Sequence, residues 1–169
     1  MSFDHRHQVG PRLAAALVNA APDDAIEPLL REQGVREPAL APSETLALRT
    51  WGRRMRAVFA ATSVQARCDA VNALLAEVAG SLFVATHDGM PPHLHLVPDD
   101  SDVVTRVRSV TAGGLAFFVS SSAGLRMGVC TREGCDRVFV DESRAGRQRY
   151  CSARCGNTDA VARHRRSAR

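Results

Sequence analysis

The chain has 169 residues, 45% of them hydrophobic, 24% charged and 5% aromatic, with a formal net charge of +4 and a sequence pI near 9.1. No run of eighteen apolar residues occurs, so the sequence carries no membrane-spanning helix, and the short Leu/Ala/Val stretch near the start does not read as a secretory signal. The charge is uneven: residues 130–169 hold ten arginines and five acids, whereas residues 1–129 hold twelve and thirteen. Length and this split predict two units, residues 1–124 with their own apolar core and residues 125–169 as a small basic module.

In chain order, residues 1–8 lack periodicity and read as a frayed terminus. Pro11 opens a short helix with Leu13, Leu17 and Val18 on one face, and a second helix over 24–33 should close at Gly34. After a linker framed by Pro38 and Pro42, Ser43 is the expected N-cap of a long helix to Ala61 with Leu46, Trp51, Met55, Val58 and Phe59 inward. Its Arg49, Arg53, Arg54 and Arg56 read as a solvated face. Thr62 and Gln65 fit a capping box for a helix to Ala79 that buries Val64, Cys68, Val71, Leu75 and Val78.

Two strand-like runs, 82–86 and 93–97, predict a hairpin over 82–97. His93 and His95 alternate with Leu94 and Leu96, which puts both imidazoles on one face and makes that face a candidate for ligand contact more than for a metal. Asp99 to Ser101 should cap a helix to about Phe118 with Val103, Val104, Val107, Val110, Leu115 and Phe118 inward, and Gly113 and Gly114 would let another helix cross closely. Leu125 to Val129 reads as a strand leading into Cys130.

Four of the five cysteines then fall in two pairs, Cys130/Cys135 and Cys151/Cys155. Two short-spaced pairs can each supply two thiolates from a tight turn, which is the pattern of a tetrahedral Zn²⁺ site. Asp136 to Tyr150 is long enough to run out and back as a hairpin with Val138, Phe139 and Val140 as its apolar arm. From Arg144 onward there are eight arginines and one acid, Asp159, most of them around a final helix. The expected fold class is α+β: a mostly helical N-terminal domain with a small hairpin, then a treble-clef or ribbon-like four-cysteine zinc finger ending in a basic helix. Four sulfurs leave zinc no open position, and the sequence has no glycine-rich phosphate loop, serine elbow or convincing carboxylate pair, so no enzymatic activity is expected.

The cationic module beside a domain with no basic excess suggests nucleic acid, and duplex DNA first, as the partner. Arg144, Arg147, Arg149, Arg154, Arg163, Arg165 and Arg166 are the candidate phosphate contacts, with Asn157, Arg163 and His164 as candidates for base edges. RNA binding and a zinc-stabilised protein-interaction module are the alternatives. The expected compartment is the cytoplasm.

The run CDRVFVDESRAGRQRYCSARCGN, followed by a helix containing VARHRR, resembles the CGNR zinc finger family, bacterial proteins that join a helical ABATE-type N-terminal domain to a C-terminal finger. The resemblance implies that Cys130, Cys135, Cys151 and Cys155 are the zinc ligands and that Cys155, Gly156 and Asn157 are the first three letters of the family's signature. Thr158 stands where the family has arginine. Upstream, Leu17, Val18 and Asn19 and the PHLHL stretch at 92–96 are similar to family features, while Ala16 and Ala20 replace an expected acid and threonine. The resemblance implies a stress-induced transcription regulator. Asn19, His93 and His95 are the candidate ligand-facing residues, and the N-terminal domain, which has no basic excess, is expected to sense a small-molecule effector or to form a homodimer.

Overall fold

The computed structural model describes residues 9–35, 38–78, 80, 83–85, 93–95 and 101–167. In order the elements are α1 (Val9–Asn19), α2 (Ile26–Glu32), α3 (Pro42–Ala60), α4 (Val64–Glu77), β1 (Phe83–Ala85), β2 (His93–His95), α5 (Val103–Ser121), β3 (Met127–Val129), β4 (Val138–Val140) and α6 (Ala153–Ser167). The fold is α+β, with two antiparallel two-stranded ribbons, β1 with β2 and β3 with β4. The expected frayed terminus and the outer parts of the 82–97 hairpin lie outside the described residues.

Helices α1, α3, α4 and α5 pack around one apolar core. Leu13, Leu17, Leu48, Trp51, Met55, Val58, Phe59, Val71, Leu74, Leu115 and Phe118 fill it. Burial at this scale is the main stabilising term. Trp51 Nε1 donates to Thr111 Oγ1 at 2.9 Å, and Thr111 Oγ1 in turn donates to the Val107 carbonyl at 2.7 Å, so the indole's polar atom is satisfied inside. Arg108 lies over the Trp51 ring, 4.6 Å from its centroid. Gly114 on α5 meets Gly10 on α1, where a β-carbon would stand 2.7 Å from the Gly10 Cα. The glycine-permitted crossing expected of α5 therefore occurs, against α1.

Several expected details differ. Ser43 sits inside α3: Pro42 occupies the first turn, and the Glu44 carboxylate accepts from the Ala41 N–H at 2.8 Å. The cap of α4 is Ser63, whose Oγ accepts from the Ala66 N–H at 3.1 Å, while Gln65 bonds to Asp69. Its buried face turns accordingly: Val64 is exposed, and Arg67 is buried with Val71 and Leu74. Arg67 Nε donates to the Val58 carbonyl at 2.9 Å and Nη2 to the Ala61 carbonyl at 2.6 Å, satisfying backbone acceptors where α3 ends. Asp102 caps α5 in place of Asp99 to Ser101, accepting from the Thr105 N–H at 2.8 Å, and Val110 faces outward. Gly34 closes α2 as expected, at φ 81°, with Val35 N–H bonding back to the Leu30 carbonyl at 2.9 Å.

The largest difference concerns β4. Val138 to Val140 pairs backward with Met127 to Val129, in the register Met127–Val140, Gly128–Phe139, Val129–Val138. The first cysteine pair therefore lies in the turn of the ribbon. The expected out-and-back hairpin over 136–150 does not form, because the apolar arm finds the strand before Cys130.

Candidate metal centre and basic surface

Each ligand is placed by a short local device. Cys130 directly follows β3, with its N–H bonded to the Arg137 carbonyl at 2.8 Å. The chain then turns through Gly134, at φ 73°, and Cys135 N–H bonds back to the Arg132 carbonyl at 3.0 Å. Cys151 lies just before α6 and Cys155 in its first turn. Ser152 caps that helix, its Oγ accepting from the Cys155 N–H at 3.2 Å. Thr131 ties the two halves together, donating from both N–H and Oγ1 to the Arg149 carbonyl at 2.9 and 3.0 Å.

The four sulfurs lie within 4.8 Å of one another. Sγ of Cys135 stands 3.8 Å from that of Cys151 and 3.9 Å from that of Cys155, and the Cys151–Cys155 separation is 3.6 Å. A Zn–S bond of about 2.3 Å implies a tetrahedron edge of about 3.8 Å, so the donor set fits Zn²⁺ in number, type and spacing. All four cysteines are free thiols, as is Cys68.

The electrostatics are those of a site made for a cation. The Cys155 thiol is pulled down to about 6, first by the Ser152 hydroxyl and then by the Arg132 guanidinium. Cys151 is pushed up to about 12 by burial and by its neighbouring thiols. Four thiolates cannot ionise together in so small a space unless a divalent ion compensates them. Arg132 Nε donates to the Cys155 sulfur at 3.3 Å, offsetting part of that charge. Arg132 was not among the residues singled out from the sequence, although its place inside the first cysteine turn was a usable signal.

Around the centre a second layer holds the protein part rigid. The Tyr150 hydroxyl donates to Asp159 Oδ2 at 2.8 Å and accepts from Arg163 Nη1 at 2.9 Å, and Arg163 pairs with Asp159. The Tyr150 ring lies so close to Gly156 that a β-carbon there would stand 3.2 Å from Cδ2, which is why the second letter of the CGN run has no side chain. The loop after β4 is ordered by the buried Asp141, which accepts from Ser143 N–H and Gln148 N–H, each at 2.9 Å. Burial works to raise that carboxyl, but the bonds from Ser143 and Gln148 and the nearby Arg126 charge hold it below the usual carboxylate range.

The predicted polar residues separate into groups. Arg144 and Arg147 lie exposed on the loop that Asp141 orders, and Arg149 is exposed at its end. Arg154, Asn157, His164 and Arg165 are exposed on α6. Arg163 is engaged by Tyr150 and Asp159, and Arg166 lies 3.9 Å from Glu133. Among the described residues, the side chains of Arg144, Arg147, Arg149, Arg154 and Arg165 have no ion-pair or hydrogen-bond partner.

Asn19 does something specific. Its carboxamide donates to the Val138 carbonyl at 2.9 Å and accepts from the Val138 N–H at 2.8 Å. In this register Val138 turns both backbone groups away from β3, so Asn19 acts as a one-residue strand on the free edge of β4. The Arg12–Glu142 pair and Arg56, donating to the Asp136 carbonyl at 2.7 Å, fasten the same ribbon to α1 and α3. The backbone of β2 places His93 opposite Ala85 and His95 opposite Phe83.

A hairpin turn and a helix start, each contributing two cysteines to one tetrahedral set with no place left open, define a structural zinc finger. Residues 126–168 match the CGNR zinc finger family, and this segment of the chain is a finger of that family with Zn²⁺ as its metal. No curated protein matches the chain.

Proposed function

We propose that the protein is a zinc-dependent, duplex-DNA-binding transcription regulator of the cytoplasm, without enzymatic activity. Residues 125–169 are the binding module. Residues 1–124 form an ABATE-like domain that senses a small molecule or pairs two copies.

One contrast supports this reading best. In the helical part, Arg12, Arg31, Arg54 and Arg108 are paired with carboxylates, and Arg49, Arg56 and Arg67 are bonded to backbone carbonyls. In the finger, six exposed arginines, Arg137 together with Arg144, Arg147, Arg149, Arg154 and Arg165, lack such partners among the described residues. Unneutralised cations held on a metal-braced scaffold suit a polyanion. Single-stranded RNA fits less well, since it calls for exposed aromatic platforms; Phe139 is buried and the Tyr150 hydroxyl is committed to Asp159 and Arg163.

The test is a salt titration of the zinc-loaded full chain on a labelled duplex between about 50 and 200 mM. Five phosphate contacts give a slope of log K against log salt of roughly −4.5. Chelation should abolish binding. A slope near zero, or affinity unchanged by chelation, would remove the proposal.

A further inference from the structure

Helix α6 is unusual in this molecule. It has fifteen residues, and none of them is buried. Its sides nevertheless differ. Cys155, Gly156, Asp159 and Ala162 are half-buried and follow one another at helical spacing, marking the face turned toward the sulfurs and Tyr150. Arg163 and Arg166 lie on or beside that inner face, where Asp159, Tyr150 and Glu133 stand near them.

At about 100° per residue, Arg154, Asn157, Thr158, Val161, His164 and Arg165 collect on the opposite arc, roughly 120° wide. All six are exposed. Val161, in the middle, is 51% accessible, a sizeable apolar side chain left outside at the centre of a cationic surface. Thr158 Oγ1 donates its proton to the Arg154 carbonyl at 2.9 Å, which leaves its methyl as the branch without a hydrogen-bonding duty.

We propose that this outer arc of α6 is a reading head for A·T base pairs in the DNA major groove. Asn157 is the adenine contact, Thr158 and Val161 form the apolar strip for thymine methyls, and Arg154 and Arg165 are the flanking phosphate clamps. The inference rests on the proposal that the finger binds duplex DNA, and it names what that finger reads.

The chemistry follows from the side chains. A carboxamide can bond bidentately to adenine N6 and N7, and the thymine methyl is the one apolar feature of the major-groove edge. The helix is about 22 Å long, and Arg154 and Arg165 stand roughly 16 Å apart along it. That separation brackets a groove about 12 Å wide, which lets each guanidinium reach a different strand. An apolar centre between two cations suits base edges flanked by phosphates better than a uniformly charged peptide.

The experiment is selection of bound sequences from a random duplex pool by the zinc-loaded full chain, run in parallel with Asn157→Ala, Val161→Ala and, as a control on α2, Arg31→Ala. The wild type and the control should enrich sites containing A·T steps. Asn157→Ala should lose about five- to tenfold of its discrimination at one adenine, and Val161→Ala should flatten the preference at a neighbouring thymine, with affinity for random duplex nearly unchanged. Helix content and zinc stoichiometry should match the wild type in both variants, since both side chains are exposed. If the wild type binds duplexes without preference, or the variants select the same sites as the wild type, the reading head is refuted while electrostatic DNA binding stands. If no duplex is retained at low salt, or single-stranded RNA displaces it, the DNA proposal fails and the reading head fails with it.

Discussion

At the scale of single residues, the finger depends on a few polar atoms whose partners are backbone or sulfur. Asp141 is the clearest case, because one buried carboxylate organises the loop that carries Arg144 and Arg147. Its folded value lies below the ordinary one, so its contribution to stability is present above about pH 3.9 and is lost as pH falls through the lower folded value. Asp141→Asn should therefore destabilise the protein near neutrality and flatten the acid limb of its stability curve. Denaturant melts at several pH values check this, and an acid limb identical to the wild type would contradict it. The sequence offered Asp141 no distinguishing mark: one acid among turn residues looks like many others until burial is known.

At the scale of elements, the attachment of the β3–β4 ribbon to α1 is the feature that decides geometry. Asn19→Ala would strip the Val138 N–H and C=O of their partners, at a cost of about 1–3 kcal/mol. The expected result is a lower denaturation midpoint with one zinc still bound per chain; an unchanged midpoint would show that water satisfies the edge equally well. Helix positions were legible in the sequence because apolar residues recur at a period near 3.6, as in Leu13/Leu17 and Met55/Val58/Phe59. Their starts were less so, since Thr62 and Ser63, or Asp99 to Asp102, offer competing acceptors one residue apart. The partner of β4 was not legible, because the segments before Cys130 and after Val140 both offered chain enough to pair. Thr111 in the core was missed for a related reason, as counting apolar residues discards a hydroxyl that Trp51 satisfies. The four ligands were legible in full, since cysteine spacing is set by the metal's own geometry.

At the scale of the whole molecule, the two ends of the chain rely on different forces. Met127 and Val138 belong to the same buried cluster as Leu13 and Trp51, so the ribbon is partly held by the helical core. Helix α6 has no such support. Chelation should thus cost the far-UV signal of about one helix while leaving the emission of Trp51, which is 2% accessible, unshifted. Circular dichroism and fluorescence followed through one chelator titration would decide it. Simultaneous loss of both signals would mean that the core cannot stand without the metal.

The absence of burial along α6 carries an evolutionary corollary. Side chains on its outer arc can be exchanged without disturbing the machinery that lets the polypeptide fold, so selection on targets is uncoupled from selection on durability. A lineage can retune what it recognises by altering a few codons on one helical turn, while the thiols, the capping serine and the helical body stay as they are.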